Sequence, residues 1–124
     1  MLAPFDMVAH LGEVQGWAIG QGVEPMAPES LPKVGFIEPG VAAGWLYGTD
    51  STVGFLEQFV TNPGAPLKAR YAAVDAIAAA LMAHARRTGI TRVVAMTSHR
   101  SIGRIALRHG FRYAGPMHVL SAEV

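Results

Sequence analysis

The chain has 124 residues, 51% of them hydrophobic, a formal net charge of +1 and no cysteine. This length suits one domain with its own core, and the missing cysteines exclude disulfides and thiolate metal sites. A charge so close to zero gives no electrostatic reason to expect nucleic acid or an anionic membrane as partner, and no stretch approaches the ~20 apolar residues of a membrane span. We therefore expect one soluble domain over residues 1–124, either cytoplasmic or carried inside a larger assembly.

The first half of the chain predicts one helix, one long loop and three strands. Spacings of three and four residues indicate an amphipathic helix from Pro4 to Ile19, with a stripe formed by Phe5, Val8, Leu11, Gln15 and Ala18. The segment from Gln21 to Lys33 contains three prolines and no periodicity, so we expect a loop that frames a site. Short runs with period-two alternation then predict strands at Val34–Ile37, Val41–Tyr47 and Val53–Val60.

The last two of these strands are predicted to form an antiparallel hairpin, because Gly48-Thr49-Asp50-Ser51 between them has turn chemistry. In the first strand of the hairpin, Trp45 and Tyr47 share a face and are expected to lie in the core or in a cleft wall. Simple alternation along the second strand sets one face against the other, with Val53, Phe55, Glu57 and Phe59 opposite Gly54, Leu56, Gln58 and Val60.

The second half begins with the strongest helical pattern in the chain. Arg70 to Thr88 is rich in alanine and carries one apolar stripe, and Gly89 supplies the C-terminal stop. Ile90 to Met96 follows as a predicted buried strand. The pattern therefore predicts a helix that leads directly into the sheet.

The C-terminal part predicts a short helix and a closing strand. Thr97 and Ser98 are N-cap candidates for a helix from His99 to His109, which Gly110 ends. Phe111 to Leu120 is predicted as a last strand, with an interruption at Gly115-Pro116. Meandering strands followed by two crossovers predict an α/β fold with a mixed, mostly antiparallel central sheet and helices on both faces.

Three segments carry a resemblance to the GNAT N-acetyltransferase superfamily. Leu56–Pro63 is similar to the family's fourth strand, and Tyr71–Arg87 followed by Gly89 is similar to its long third helix. Ser98–Phe111, which ends in His109-Gly110-Phe111, resembles its final helix and Gly-Phe signature. A narrower likeness, over GWLYGTDSTVGFLEQFVTNPGAP, is to short acetyltransferase-like proteins of bacteriophages, some of which belong to families of virion proteins.

The resemblance implies acetyl-CoA as co-substrate and an amine of unknown identity as acceptor. The backbone around Phe59, Val60 and Thr61 would pair with the pantetheine amides. The loop that binds pyrophosphate in the family corresponds to Ala69–Val74, where alanine and valine replace its two glycines. The remaining residues implied for the cofactor site are Lys68, Arg70, Tyr71, Ala72, Ala73 and His99.

The resemblance also implies two catalytic groups. Glu57 is the candidate base for the substrate amine, although an acid on a half-exposed strand can equally be a solvated surface residue. The family's usual acid is a tyrosine at the position held here by Ala106, and Tyr113 is a candidate replacement. The five histidines show no metal-ligand spacing with acids, so we predict no metal site.

Three readings remain open at this point, of which the third is an α/β binding module unrelated to the GNAT fold. The first is an N-acetyltransferase that moves an acetyl group from acetyl-CoA to an amine. The second is a GNAT-fold protein without catalysis that serves as a structural or interaction module, as a homo-oligomer or with phage structural proteins in a virion. Arg100, Arg104 and Arg108 share one helix face, which is either a solvated surface or a docking surface for such a module.

Overall fold

The computed structural model describes residues 1–97 and 99–124. Its helices and strands, in chain order, are β1 Ala3–Pro4, α1 Met7–Gly20, β2 Val34–Glu38, β3 Ala42–Tyr47, β4 Val53–Thr61, α2 Leu67–Arg87, β5 Arg92–Ala95 and α3 Arg100–Arg108. The strands form one open sheet in sequence order; β1 to β4 pair antiparallel, and β4 pairs parallel with β5. The predicted α/β class with a mixed, mostly antiparallel sheet is therefore confirmed.

The two faces of the sheet carry separate cores. On one face, α1 packs Val14, Trp17 and Ala18 against the sheet, where it covers Ile37, Ala43, Trp45 and Val60. On the other, α2 packs its buried stripe, which includes Val74, Ile77 and Leu81, against Ala42, Leu46 and Leu56. Helices thus lie on both faces, as predicted. We call these the α1 face and the α2 face.

The first helix begins at Met7 and not at Pro4. Ala3 and Pro4 pair with β2 as a short edge strand, and the Asp6 side chain then caps the helix by accepting a hydrogen bond from the Ala9 amide at 3.0 Å. The buried face of the helix consists of Val14, Trp17 and Ala18. Val8, which was predicted to belong to the apolar stripe, is 96% exposed.

A β-bulge interrupts β4 at Gln58 and changes its alternation. Gln58 and Phe59 together lie opposite Gly44 of β3, between the register pairs Trp45–Glu57 and Ala43–Val60. Gln58 adopts a positive φ of 64°, the left-handed conformation that the first residue of a G1-type bulge has. As a result Phe59 packs into the core of the α2 face, while Val60 packs into that of the α1 face. The prediction that Glu57 and Phe59 share a face is wrong for this reason.

Gly35 in β2 leaves the space that the indole of Trp45 occupies. A Cβ on Gly35 would stand 2.3 Å from the Trp45 Cδ1, and Trp45 is fully buried. We therefore expect Gly35→Ala to lower the free energy of unfolding by about 1–3 kcal/mol or more, because the ring has nowhere to move. Thermal unfolding monitored by circular dichroism measures this loss.

The control for that variant is Gly12→Ala, on the exposed side of α1. No atom lies within 4 Å of the position that its Cβ would take. Alanine should stabilise the helix there by about 0.5–1 kcal/mol, so the two substitutions are expected to act in opposite directions. An unchanged melting temperature for Gly35→Ala would contradict the packing argument.

The long helix α2 begins at Leu67, three residues before the predicted start at Arg70. Pro66 occupies the N-cap position, and its carbonyl accepts a hydrogen bond from the Arg70 amide at 3.0 Å. The segment Ala69–Val74, which was predicted as a loop that opens the helix, is therefore helical. At its other end α2 stops at Arg87, and Gly89 adopts a φ of 82° just beyond it, as predicted.

The C-terminal strand predictions are partly wrong. The strand predicted over Ile90–Met96 is limited to Arg92–Ala95, and as the outer strand of the sheet it is not fully buried. No helix or strand forms within residues 109–124, so the strand predicted over Phe111–Leu120 is absent there. Gly115 has a φ of 108° and Pro116 lacks an amide donor, and both features oppose strand pairing. One crossover, through α2, replaces the two that were predicted.

The last helix runs from Arg100 to Arg108, with His99 at its N-cap. Of the two predicted capping residues, Thr97 accepts a hydrogen bond from the His99 amide at 3.1 Å, and Ser98 lies outside the described residues. No helix among residues 1–97 and 99–124 is both long and apolar enough to cross a membrane.

Polar contacts tie α3 to α2. Asp75 Oδ1 lies 2.9 Å from His109 Nε2 and 3.3 Å from Arg108 Nη2. The hydrogen bond from His109 holds the pKa of Asp75 below its usual value; burial opposes this shift, and Arg108 adds weaker contributions that lower the pKa. These contacts help to fix α3 beside the first half of α2, where both helices border the site described next.

Candidate functional site

The strands β4 and β5 separate part of the way along the sheet. Their ladder ends at the pair Leu56–Ala95, whereas β4 continues to Thr61. The backbone groups of residues 57–61 on the side of β5 therefore have no ladder partner. Such a strand edge can hydrogen-bond an extended amide-containing ligand in the way that another strand would.

A cavity of about 440 Å³ occupies this gap. Its volume falls within the range of about 300–1,000 Å³ that is typical of small-molecule sites. β4 forms one wall, the first three turns of α2 a second, and α3 with the end of β5 a third. Among the lining residues are Leu56, Glu57, Gln58, Phe59, Thr61, Leu67, Arg70, Tyr71, Val74, Met96, His99, Ser101, Ile102, Ile105 and Ala106.

Six of the side chains predicted for a site line this one cavity. They are Glu57, Phe59, Thr61, Arg70, Tyr71 and His99. The structure does not bring the other five to the cavity wall. Val60 is buried in the core of the α1 face, Lys68 and Ala72 are exposed, and Ala73 is buried on α2. Tyr113 is 77% exposed, with its hydroxyl close to Gly103 of α3.

The N-terminus of α2 offers three backbone donors at the edge of the cavity. The amides of Leu67, Lys68 and Ala69 precede the first intrahelical hydrogen bond, and no described side chain caps them. Beyond them the amides, beginning with that of Arg70, are used within the helix. Together with the helix dipole, free amides of this kind attract anions such as phosphate.

Arg70 places an unsatisfied donor beside these amides. Its Nε is buried from solvent and has no hydrogen-bond partner among the described residues, and no described carboxylate forms an ion pair with its guanidinium. A buried guanidinium donor without an acceptor is costly, since protein interiors satisfy nearly all such groups. The side chain therefore has a hydrogen bond to offer to an anionic or carbonyl ligand in the cavity.

Glu57 connects the cavity to a second, shallow hollow on the α1 face. This hollow has a volume of about 200 Å³ and is lined by Tyr47, Phe55 and Glu57. Burial and the nearby Glu57 carboxylate raise the pKa of Tyr47, although a hydrogen bond with the Gln58 side chain opposes the shift. Glu57 is half-buried, and the same residue lines both the cavity and the hollow.

Gln21, at the end of α1, borders the cavity at the end of β4. Its Nε2 donates to the carbonyl oxygen of Thr61 and lies 3.1 Å from the Thr61 Oγ1. Of the loop Gln21–Lys33, which was predicted to frame a site, Gln21 alone is among the residues that line the cavity. Gln15 on α1 holds the same loop by donating to the Met26 carbonyl at 3.1 Å.

Two functional candidates were missed by sequence reasoning, and a third was found in part. Phe55 was assigned only to a strand face and Gln58 to the face away from Glu57, whereas Tyr47 was expected in the core or in a cleft wall. Their proximity follows from the register of β3 against β4 and from the bulge. Neither is encoded in a local motif, although the alternation that placed Tyr47 and Phe55 on sheet faces was visible.

Comparisons with solved structures show which proteins share this fold. One is a crystal structure of a probable acetyltransferase, with a TM-score of 0.72 and 14% identity over 100% of this chain and 97% of the other. An acetyltransferase from Trypanosoma brucei has a TM-score of 0.64 and 18% identity over 98% of this chain and 99% of its own. A probable acetyltransferase from methicillin-resistant Staphylococcus aureus has a TM-score of 0.67 and 12% identity over 98% of this chain and 100% of its own.

These likenesses extend over nearly the whole of both chains, and at such low identity they show a common fold. No protein-family model matches the sequence. No curated protein matches it either. The GNAT-like fold expected from the resemblance is therefore supported by structure, while the chemistry has to be argued from the cavity.

Proposed function

We propose that this chain is an acyl-CoA-dependent N-acetyltransferase. The observation that carries the proposal is the cavity at the divergence of β4 and β5, where Glu57, the free strand edge and the unsatisfied Arg70 border one space. The shared fold with solved acetyltransferases supports the same reading. The strand edge can pair with the pantetheine amides, the free amides at the start of α2 can hold the phosphates, and the Glu57 carboxylate can accept a proton from the amine.

The residues fit acetyl-CoA in two regions. The backbone of residues 57–61, including Phe59, Val60 and Thr61, would pair with the pantetheine amides. The amides of residues 67–69, the exposed Lys68 and the Arg70 guanidinium would hold the phosphates. The phosphate contacts thus begin earlier than the predicted Ala69–Val74, because the amides of Ala72 and Ala73 are already used within α2.

The proposed chemistry is a direct transfer. The thioester supplies an activated acyl carbon and a thiolate leaving group. The amine nitrogen forms a bond to that carbon while the carbon–sulfur bond breaks. Glu57 first takes one proton from the ammonium, directly or through water, which leaves the free amine as nucleophile. The second proton, which the nitrogen loses when the amide forms, passes through solvent to the departing thiolate. The apolar walls, which include Leu56 and Ile105, limit the access of water to the thioester.

Thermal unfolding with and without millimolar acetyl-CoA tests the proposal. A ligand at about 100 times its Kd stabilises the folded state by roughly 2.7 kcal/mol, which should raise the melting temperature by several degrees. Desulfo-CoA tests whether the nucleotide and pantetheine are sufficient for the effect.

No shift at any acetyl-CoA concentration would contradict the proposal. It would favour the second reading of the sequence, a structural or interaction module in a bacteriophage particle. That reading predicts a defined oligomer or a complex with larger partners, and size-exclusion chromatography with light scattering distinguishes it from a monomer that binds CoA.

A further inference from the structure

The hollow on the α1 face has two aromatic side chains beside one carboxylate. Tyr47 of β3 and Phe55 of β4 are register partners, so their Cβ atoms lie about 4.5–5.5 Å apart on the same face. Glu57 lies two residues after Phe55 in β4, so its side chain is on the same face of the sheet. These three residues line the whole of the hollow.

This combination favours a cation. Aromatic rings attract ammonium groups through their negative faces, and a partly buried carboxylate attracts them more strongly than an exposed one would. Tyr47 is uncharged at neutral pH, because the ordinary pKa of tyrosine is about 10 and burial together with the Glu57 carboxylate raises it further. The only formal charge among the lining residues is therefore that of Glu57.

From this lining we infer that the hollow binds the acceptor as a primary alkylammonium group at the end of a flexible chain. The inference rests on the proposed acetyl transfer and names its substrate class. Glu57 borders both the hollow and the cavity, so a nitrogen held against its carboxylate lies at the junction of the two spaces. Gln58, the next residue along β4, also lines the cavity.

The size of the hollow limits which part of the acceptor it holds. Its volume of about 200 Å³ is smaller than a site that encloses a whole drug-sized molecule. It suits an ammonium with a few methylenes, such as the end of a lysine side chain, with the remainder in solvent. An α-amino acid would bring its own carboxylate next to Glu57, and this like-charge pair is unfavourable.

The first test compares acceptors in the acetylation reaction with acetyl-CoA. The probes are Nα-acetyl-lysine amide, which carries one ε-ammonium, alanine, which has a carboxylate beside its ammonium, and alaninamide, which lacks that carboxylate. We expect kcat/KM to be at least tenfold higher for the lysine probe than for alanine, with alaninamide between them. Equal rates for alanine and the lysine probe would overturn the inference.

The second test alters the aromatic wall without touching the carboxylate. Phe55→Leu should raise KM for the lysine probe by roughly two- to thirtyfold with little change in kcat, since a cation–π contact is worth about 0.5–2 kcal/mol. The conservative variant Phe55→Tyr keeps the ring and should retain the KM of the native protein. If neither variant changes KM, or if both raise it equally, the ring of Phe55 does not contact the ammonium.

Binding without acetyl-CoA separates this inference from the proposed function. The aromatic resonances of Tyr47 and Phe55 should shift on titration with Nα-acetyl-lysine amide, and Phe55→Leu should weaken that titration. A shift in a protein that neither binds nor turns over acetyl-CoA would uphold the ammonium site and overturn the proposed function. If the protein turns over acetyl-CoA but shows no such shift and no preference for the lysine probe, the proposed function stands and the ammonium site is overturned.

Discussion

Replacing Arg70 by methionine is expected to weaken acetyl-CoA binding by roughly 10- to 150-fold. The Arg70 Nε is buried beside the cavity with no described partner, and the free amides of Leu67, Lys68 and Ala69 lie at the same end of α2. A hydrogen bond to a charged group contributes about 1.5–3 kcal/mol, which corresponds to that range of Kd. Isothermal titration calorimetry with acetyl-CoA measures the change directly.

In the absence of acetyl-CoA, Arg70→Met should not lower the stability of the protein. Methionine has a similar length and no donor, so Arg70→Met removes an unsatisfied group and should leave the melting temperature unchanged or raise it. Arg86→Met, at the exposed last turn of the same helix, is the matched control and should change neither quantity. A variant that unfolds more easily but binds acetyl-CoA normally would assign Arg70 to the fold and not to the ligand.

Much of the architecture could be predicted because the signals that specify it are local. The hairpin of β3 and β4 follows from turn residues at Gly48–Ser51, and the long helix follows from an apolar stripe that includes Val74 and Leu81. Strand alternation and helical spacing depend on a few neighbouring residues. They therefore identified both layers of helices and the antiparallel order of the central strands.

The errors occurred where distant residues decide the local structure. Pro4 joins the sheet because β2 offers it a partner, and Gln58 adopts a positive φ because Gly44 leaves room for Phe59. A Cβ on Gly44 would stand 2.6 Å from that ring, so the bulge depends on a glycine 14 positions earlier in the chain. Phe111–Leu120 has the composition of a strand but forms no ladder with β5. Pairing of this kind has no local signature.

The candidate site was predicted better in its residues than in its geometry. Glu57, Thr61 and Arg70 were expected from the resemblance and do line one cavity. The amides expected to bind phosphate are not free, because the helix begins at Leu67 and uses the amides of Arg70 and its successors within itself. The aromatic hollow could not be found from sequence, since only the register of β3 against β4 brings Tyr47 to Phe55.

The substitution Glu57→Gln is expected to lower kcat by about 100- to 10,000-fold, the usual contribution of a general base. Glutamine preserves the size and the hydrogen-bonding carbonyl of the side chain but cannot accept the proton that the amine loses. Stability should change little, because the half-buried carboxylate forms no ion pair among the described residues. Steady-state kinetics with the lysine probe, together with circular dichroism of the variant, measures both effects.

The split between kcat and KM shows whether the loss comes from the proton acceptor. Removing the base should lower kcat in Glu57→Gln, whereas removing a group that only binds the ammonium should raise KM. Glu24→Gln, in the exposed loop, is the control and should keep the native kcat and KM. If Glu57→Gln retains the native kcat, the base is another group. The carboxylate would then serve only to bind the ammonium, and its loss would appear in KM alone, because binding that is equal in the ground and transition states does not change kcat.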